Sequence, residues 1–139
     1  MRYDPMMVQP MREELTAIGV TELKTPEEVD AFLASKSGTT LVVVNSVCGC
    51  AAANARPGVT LAVKHAKLPD HIATVFAGVD REATDRARSY FKGYMPSSPS
   101  MALIKDGQCV FMLQRHDIEG RDPQAIARRL TEAFDKHCA

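Results

Sequence analysis

Residues 41–54 constrain the chain most: Leu41-Val42-Val43-Val44, then Asn45-Ser46-Val47-Cys48-Gly49-Cys50, then Ala51-Ala52-Ala53-Asn54. Four apolar residues, three of them β-branched, suit a strand covered on both faces. Asn45 and Ser46 are good turn or N-cap residues, and the alanines that follow are strong helix formers. Cys48 and Cys50 therefore fall where a buried strand ends and a helix starts. There the free N–H groups and the positive end of the helix dipole favour a thiolate over a thiol. A free cysteine has a pKa of about 8.5, and a helix N-terminus with suitable neighbours lowers it to roughly 3.5–7.5. Cys48, expected to be the more exposed, is the better nucleophile, with Cys50 within reach as its resolving partner.

The spacing adds a second constraint. A disulfide needs Cα atoms roughly 4.4–6.8 Å apart, whereas an extended chain separates residues i and i+2 by about 6.6–7.2 Å. A Cys-Gly-Cys bridge requires a bend, for which Gly49 is expected to supply the backbone freedom. So small a ring is expected to be strained and readily reopened. Two other origins for such a pair are inert core cysteines and half of a structural metal site. Zinc needs four well-placed ligands, and Cys109, Cys138 and the four histidines show no second paired spacing. Neither alternative accounts as well for the glycine or the helix start.

At 139 residues the chain is expected to form one domain with a real core and no need of disulfide staples. Seventeen basic residues balance 17 acidic ones, so nothing points to nucleic acid or an anionic membrane. No apolar run approaches a membrane span, and Met1-Arg2-Tyr3-Asp4-Pro5 lacks a signal-peptide pattern. The cytoplasm is the expected compartment, where four cysteines are catalytic or metal-binding more often than bridged.

Met7, Met11, Leu15 and Ile18 lie at helical spacing, predicting an amphipathic helix over residues 6–18 with its methionines filling core. Thr25-Pro26-Glu27-Glu28 has the N-cap, proline and acids of a helix start, and that helix is expected to run to about Ser35. Ser37-Gly38-Thr39 then turns into the central strand. After the cysteines a helix is predicted from about Ala51 to Lys67, interrupted near Pro57. Arg56 has two readings: contact with an anionic group on a thiol substrate, or an ordinary solvated arginine.

Thr74 to Val79 reads as a strand, and Asp80 caps a helix from Arg81 to about Phe91. Proline 99 directly before an apolar run implies a turn or bulge, of which a cis Ser98–Pro99 bond is one form. Asp106-Gly107 turns a hairpin of Met101–Lys105 and Cys109–Arg115. Asp122-Pro123 opens a last helix carrying Ile126, Leu130 and Phe134 and ending near His137. Cys109 is placed in a strand and Cys138 in a frayed terminus, where exposure would let it link two chains. The four histidines read as surface or capping residues, and no repeat or linker is visible.

A β-α-β unit feeding a β-hairpin and a closing helix gives an α/β fold, a mixed sheet between helical layers, with an N-terminal helical extension. That order is similar to the thioredoxin fold, with redox cysteines opening a helix after a central strand and a cis-proline facing them. Thioredoxins place two residues between the cysteines, and this chain has one. With Cys48-Gly49-Cys50, the segments Ala55-Arg56-Pro57-Gly58 and Pro96-Ser97-Ser98-Pro99-Ser100, and the Tyr3-Asp4 opening, the chain resembles the bacilliredoxin family over nearly its whole length.

That resemblance implies thiol-disulfide exchange on proteins, above all removal of bacillithiol from mixed disulfides, together with disulfide isomerase activity. Cys48 is then the attacking thiol and Cys50 the resolving one, and Gly49, Ser98 and Pro99 form the substrate-binding surface. No cofactor is bound. Bacillithiol or another small thiol serves as co-substrate, and the partners are S-thiolated or disulfide-containing proteins. A redox sensor and a soft-metal carrier using the same two thiols are the other classes consistent with the motif. Cys48 activation is expected to rest on the helix start and local hydrogen bonds, with no nearby acid or base.

Overall fold

The computed structural model describes residues 3–34 and 37–139. Its frame is one five-stranded sheet in the order β1-β3-β2-β4-β5. These strands are β1 (Thr21–Glu22), β2 (Thr39–Asn45), β3 (His71–Phe76), β4 (Ser100–Lys105) and β5 (Gln108–Leu113). β1 and β2 pair parallel to β3, while β4 runs antiparallel to both β2 and β5. β2 is buried along its whole length, as the Leu-Val-Val-Val run demands.

Alternation along β2 divides the core in two. Leu41 and Val43 face one layer, built from Leu15 of α1 (Pro5–Thr16), Val59 and Ala62 of α3 (Arg56–Ala62), and Ile126, Leu130 and Phe134 of α6 (Pro123–His137). Val42 and Val44 face the other, built from Val29 and Leu33 of α2 (Pro26–Leu33) and Ala83 and Ala87 of α4 (Arg81–Arg88). The mixed sheet between helical layers, with an added N-terminal helix, is the architecture expected from the element order. At Gly58 the α3 backbone packs so closely on the Ile126 side chain of α6 that a Cβ would lie 2.7 Å from Ile126 Cγ2.

Several boundaries differ from the sequence-based expectation. α1 buries Val8, Arg12 and Leu15 rather than the methionine stripe, and Met6 is 83% exposed. Arg12 takes the core-facing position because its guanidinium pairs with Glu22 at 2.9 Å and Asp80 at 2.7 Å and lies over the Phe76 ring. β3 starts and ends three residues earlier than predicted, since Gly78 at φ +81° turns the chain. α2 ends at Leu33, and Ser35, where its end was expected, lies outside the described residues.

The helix after the cysteines is split. A π-helical turn spans Ala51–Ala55, then α3 ends at Ala62, short of the expected Lys67. Pro57 sits in the first turn of α3 and has no N–H with which to close an α turn onto Ala53, so the interruption falls just before it. Two short elements had no sequence counterpart. One is β1, and the other is α5 (Arg115–Ile118), a single turn that begins at Arg115, where the hairpin strand was expected to end. Gln114 and Asp117 cap that turn reciprocally.

Candidate active site

The site is built on the buried end of β2. Asn45 Oδ1 accepts from the Ser46 N–H at 2.9 Å and from Arg56 Nη1 at 2.9 Å, while its Nδ2 donates to Met11 O at 3.2 Å. Arg56 Nη1 also donates to Ser46 O at 2.8 Å. Its Nε lies 3.1 Å from Glu14 Oε1, near enough for an ion pair though its N–H is not aimed along that line. Arg56 is only 2% exposed, which corrects both of its sequence-based readings: it neither meets solvent nor faces a substrate. Burying a guanidinium is costly unless it is paired and hydrogen-bonded, and here Nη1, bonded to both Asn45 and Ser46, holds the turn in front of the cysteines.

That turn presents Cys48. The Cys48 N–H donates to Ser46 Oγ at 3.3 Å, and the Ser46 hydroxyl lies 3.1 Å from Cys48 Sγ. The Ala51 and Ala52 N–H groups donate to Cys48 O, so the helix starts on this residue. Burial pushes the Cys48 thiol up, but hydrogen bonds from the Ser46 hydroxyl, the Ala51 and Cys50 N–H groups and the Cys50 thiol outweigh it. The net result is a cysteine more acidic than usual. Cys48 and Cys50 are both half-buried.

Cys50 is shifted the other way. Burial, the neighbouring Cys48 sulfur and a hydrogen bond to Glu119 raise it, with Arg115 opposing them. Its thiol donates to Glu119 Oε2 at 3.6 Å, and Arg115 Nε donates to the same oxygen at 2.9 Å. Charged groups therefore do stand near the cysteines, contrary to the sequence-based expectation. Arg115 opens α5, and Glu119 is its C-cap. A signal for the pair was present in the sequence: Arg115 and Glu119 at i, i+4, overlapping the Gln114-x-x-Asp117 capping pattern.

Gly49 is exposed, lacks a positive φ, and has open space where a Cβ would stand. With both thiols free, the bend thus uses helical backbone, and not the special freedom of glycine. Register brings in the proline: Val44 pairs with Ser100, so Pro99 lies at the same end of the sheet as the cysteine turn. The Ser98–Pro99 bond is cis. Ser98 O accepts from Arg115 Nη1 at 3.4 Å, and Ser97 Oγ accepts from the Arg115 N–H at 3.2 Å. Arg115 so joins the proline loop to the group that contacts Cys50.

The other cysteines stand apart. Cys109 lies in β5, half-buried, and burial raises its thiol. Cys138 is buried at 7% exposure beneath the end of α6, so it is neither frayed nor placed to link two chains. Among the described residues no group of three or more His, Cys, Asp and Glu side chains is arranged to hold a metal ion. His65 pairs with Asp135, and His116 with Asp117. No helix among the described residues is long and apolar enough to cross a membrane.

A half-exposed, acidified cysteine beside a second thiol of opposite shift can form and release mixed disulfides. Known proteins agree with that chemistry. The family described as "Disulphide isomerase" matches residues 3–138. A bacilliredoxin of Koribacter versatilis is 54% identical over 98% of this chain and 94% of its own length. One from Halalkalibacterium halodurans is 52% identical over 98% and 94%, and one from Cytophaga hutchinsonii 52% over 96% and 98%. Among solved structures, Fasciola hepatica thioredoxin superposes with a TM-score of 0.52 at 17% identity over 85% of this chain and 99% of its own. A second chain with a thioredoxin fold gives 0.57 at 11% identity over 84% and 96%. With a thioredoxin fold and relatives matched along nearly its whole length, the chain belongs to the bacilliredoxin family of thiol-disulfide oxidoreductases.

Proposed function

We propose that this protein frees cytoplasmic proteins from mixed disulfides with a small thiol, bacillithiol or another of low molecular weight. Cys48, as thiolate, attacks the disulfide, and one sulfur leaves as thiolate while the other stays joined to Cys48. When the protein sulfur leaves, Cys48 carries the small thiol. Cys50, once deprotonated, attacks Cys48 Sγ and expels the small thiolate, leaving a Cys48–Cys50 disulfide; alternatively a second small thiol attacks and restores Cys48. In the first course the enzyme dithiol is oxidised by two electrons as the mixed disulfide is reduced. Pro99, Ser98 and the open surface over Gly49 receive the substrate chain, and the same exchange run on a misbridged protein isomerises it.

One observation carries this: Cys48 stands at the helix start with its Sγ 3.1 Å from the Ser46 hydroxyl, a setting that favours its thiolate, while Cys50 two residues on is held against the Glu119 carboxylate. The test is mass spectrometry of the protein after exposure to model proteins thiolated with bacillithiol or with glutathione. The expected product is a Cys48 adduct in Cys50→Ser, formed faster with the preferred small thiol, and no adduct in Cys48→Ser. Adducts on Cys50 in place of Cys48 reverse the roles, and single-turnover oxidation without turnover under a reductant makes the protein a sensor.

A further inference from the structure

Cys50 meets a carboxylate that the exchange chemistry does not itself require. Its thiol points to Glu119 Oε2 at 3.6 Å, and the same oxygen is held by Arg115 Nε at 2.9 Å. Arg115 is in turn fixed to the proline loop through Ser97 Oγ and Ser98 O. The carboxylate is therefore aimed, with one lobe shared between a guanidinium and a thiol. A carboxylate that accepts an S–H hydrogen bond loses that bond and gains a repulsion when the thiol ionises.

We propose that Glu119, oriented by Arg115, is a positioning residue that disfavours the Cys50 thiolate before and after Cys48 has reacted, and so delays ring closure behind the attack by Cys48. The titratable groups acting on Cys50 are Cys48 from its own turn and Arg115 and Glu119 from α5 and its C-cap. While Cys48 is a thiolate, it and Glu119 both oppose a charge on Cys50. Once Cys48 is bonded to a small thiol its charge is gone, and Glu119 alone holds back Cys50 against the pull of Arg115. The mixed disulfide then persists long enough for a second small thiol or a protein thiol to compete with ring closure. Glu119 neither gains nor loses a proton in this scheme. The Cys50 proton leaves to solvent as the Cys48–Cys50 bond forms, and the departing small thiolate takes one up.

The inference rests on the dithiol mechanism proposed above, so its first test needs no disulfide substrate. In Cys48→Ser, the pH dependence of Cys50 alkylation by iodoacetamide is followed on the Cys50 peptide. Glu119→Gln is expected to move the midpoint to lower pH and Arg115→Gln to higher pH, both shifts shrinking at about 1 M salt, where the screening length is about 3 Å. Both side chains are about half exposed, 47% and 59%, so neither exchange disturbs the core. In the dithiol protein carrying a small thiol on Cys48, Glu119→Gln is expected to speed ring closure at neutral pH roughly threefold, the effect of one exposed charge on a neighbour. Attack by Cys48 should change less than ring closure. An unmoved alkylation midpoint, or slower ring closure in Glu119→Gln, overturns the proposal. A moved midpoint in a protein that transfers no small thiol upholds the effect of Glu119 on Cys50 and fails the proposed function alone.

Discussion

Arg56 Nη1 lies 2.8 Å from the Ser46 carbonyl oxygen, two residues before the cysteine it helps to place. Replacing Arg56 with Met removes that donor and leaves the carbonyl unpaired behind the active-site turn. A buried polar group stripped of its partner costs roughly 1–3 kcal/mol, and urea unfolding of Arg56→Met is expected to show a loss of that size. Cys48 alkylation should also shift to higher pH, because the turn that carries the Ser46 hydroxyl is loosened. Unchanged stability would mean that the guanidinium does not hold the turn.

Ser46→Ala tests the hydroxyl directly. The hydroxyl lies 3.1 Å from Cys48 Sγ and favours the thiolate. Without it the Cys48 alkylation midpoint is expected to rise and the rate at neutral pH to fall roughly two- to tenfold, the range one hydrogen bond spans. An unaltered pH profile would leave the Ala51 and Cys50 N–H groups and the Cys50 thiol as the source of Cys48 acidity.

The pH dependence of stability follows from the same shift. The folded pKa of Cys48 lies below its unfolded value, so the folded state binds fewer protons at this site between the two values. Its contribution to stability is complete above the unfolded pKa of about 8.5 and is lost as pH falls through the lowered folded value. Cys50, raised in the folded state, works in the opposite sense at higher pH. Urea midpoints of Cys50→Ser and Cys48→Ser/Cys50→Ser should therefore draw apart as pH rises from 6 towards about 8.5. A constant gap would contradict the acidified Cys48.

Gly58→Ala tests the contact beneath the site. A Cβ there would lie 2.7 Å from Ile126 Cγ2 and 2.9 Å from Ile126 Cβ, inside ordinary contact distance. Overpacking of this kind costs typically about 1–3 kcal/mol. Differential scanning calorimetry is expected to show a lower Tm. A Tm equal to that of the parent would mean that α6 yields freely.

What was legible in the sequence was local. The Leu41–Val44 run, the cysteine pair and the helix formers after it lie within 14 residues, and each residue type states its preference without help from elsewhere. β2 and the helix start on Cys48 formed accordingly. What was misread depended on distant partners. Arg12 enters the core because Glu22 and Asp80, the latter 68 positions away, meet it there, and α1 buries it in place of Met7 and Met11. Arg56 is buried because Asn45 and Ser46 offer acceptors that only folding brings to it. Glu119 reaches Cys50 across 69 positions from an element too short to leave a periodic pattern.

Asn45 is shared by three parts of the molecule. Its side chain ties Met11 of α1 to the last residue of β2 and to Arg56 of α3. The leading helix is thus more than an appendage that could be trimmed at will. Truncation before the sheet would strip one anchor from the amide that aligns everything upstream of the sulfurs, so damage at the front of the polypeptide would surface as a fault in its redox centre.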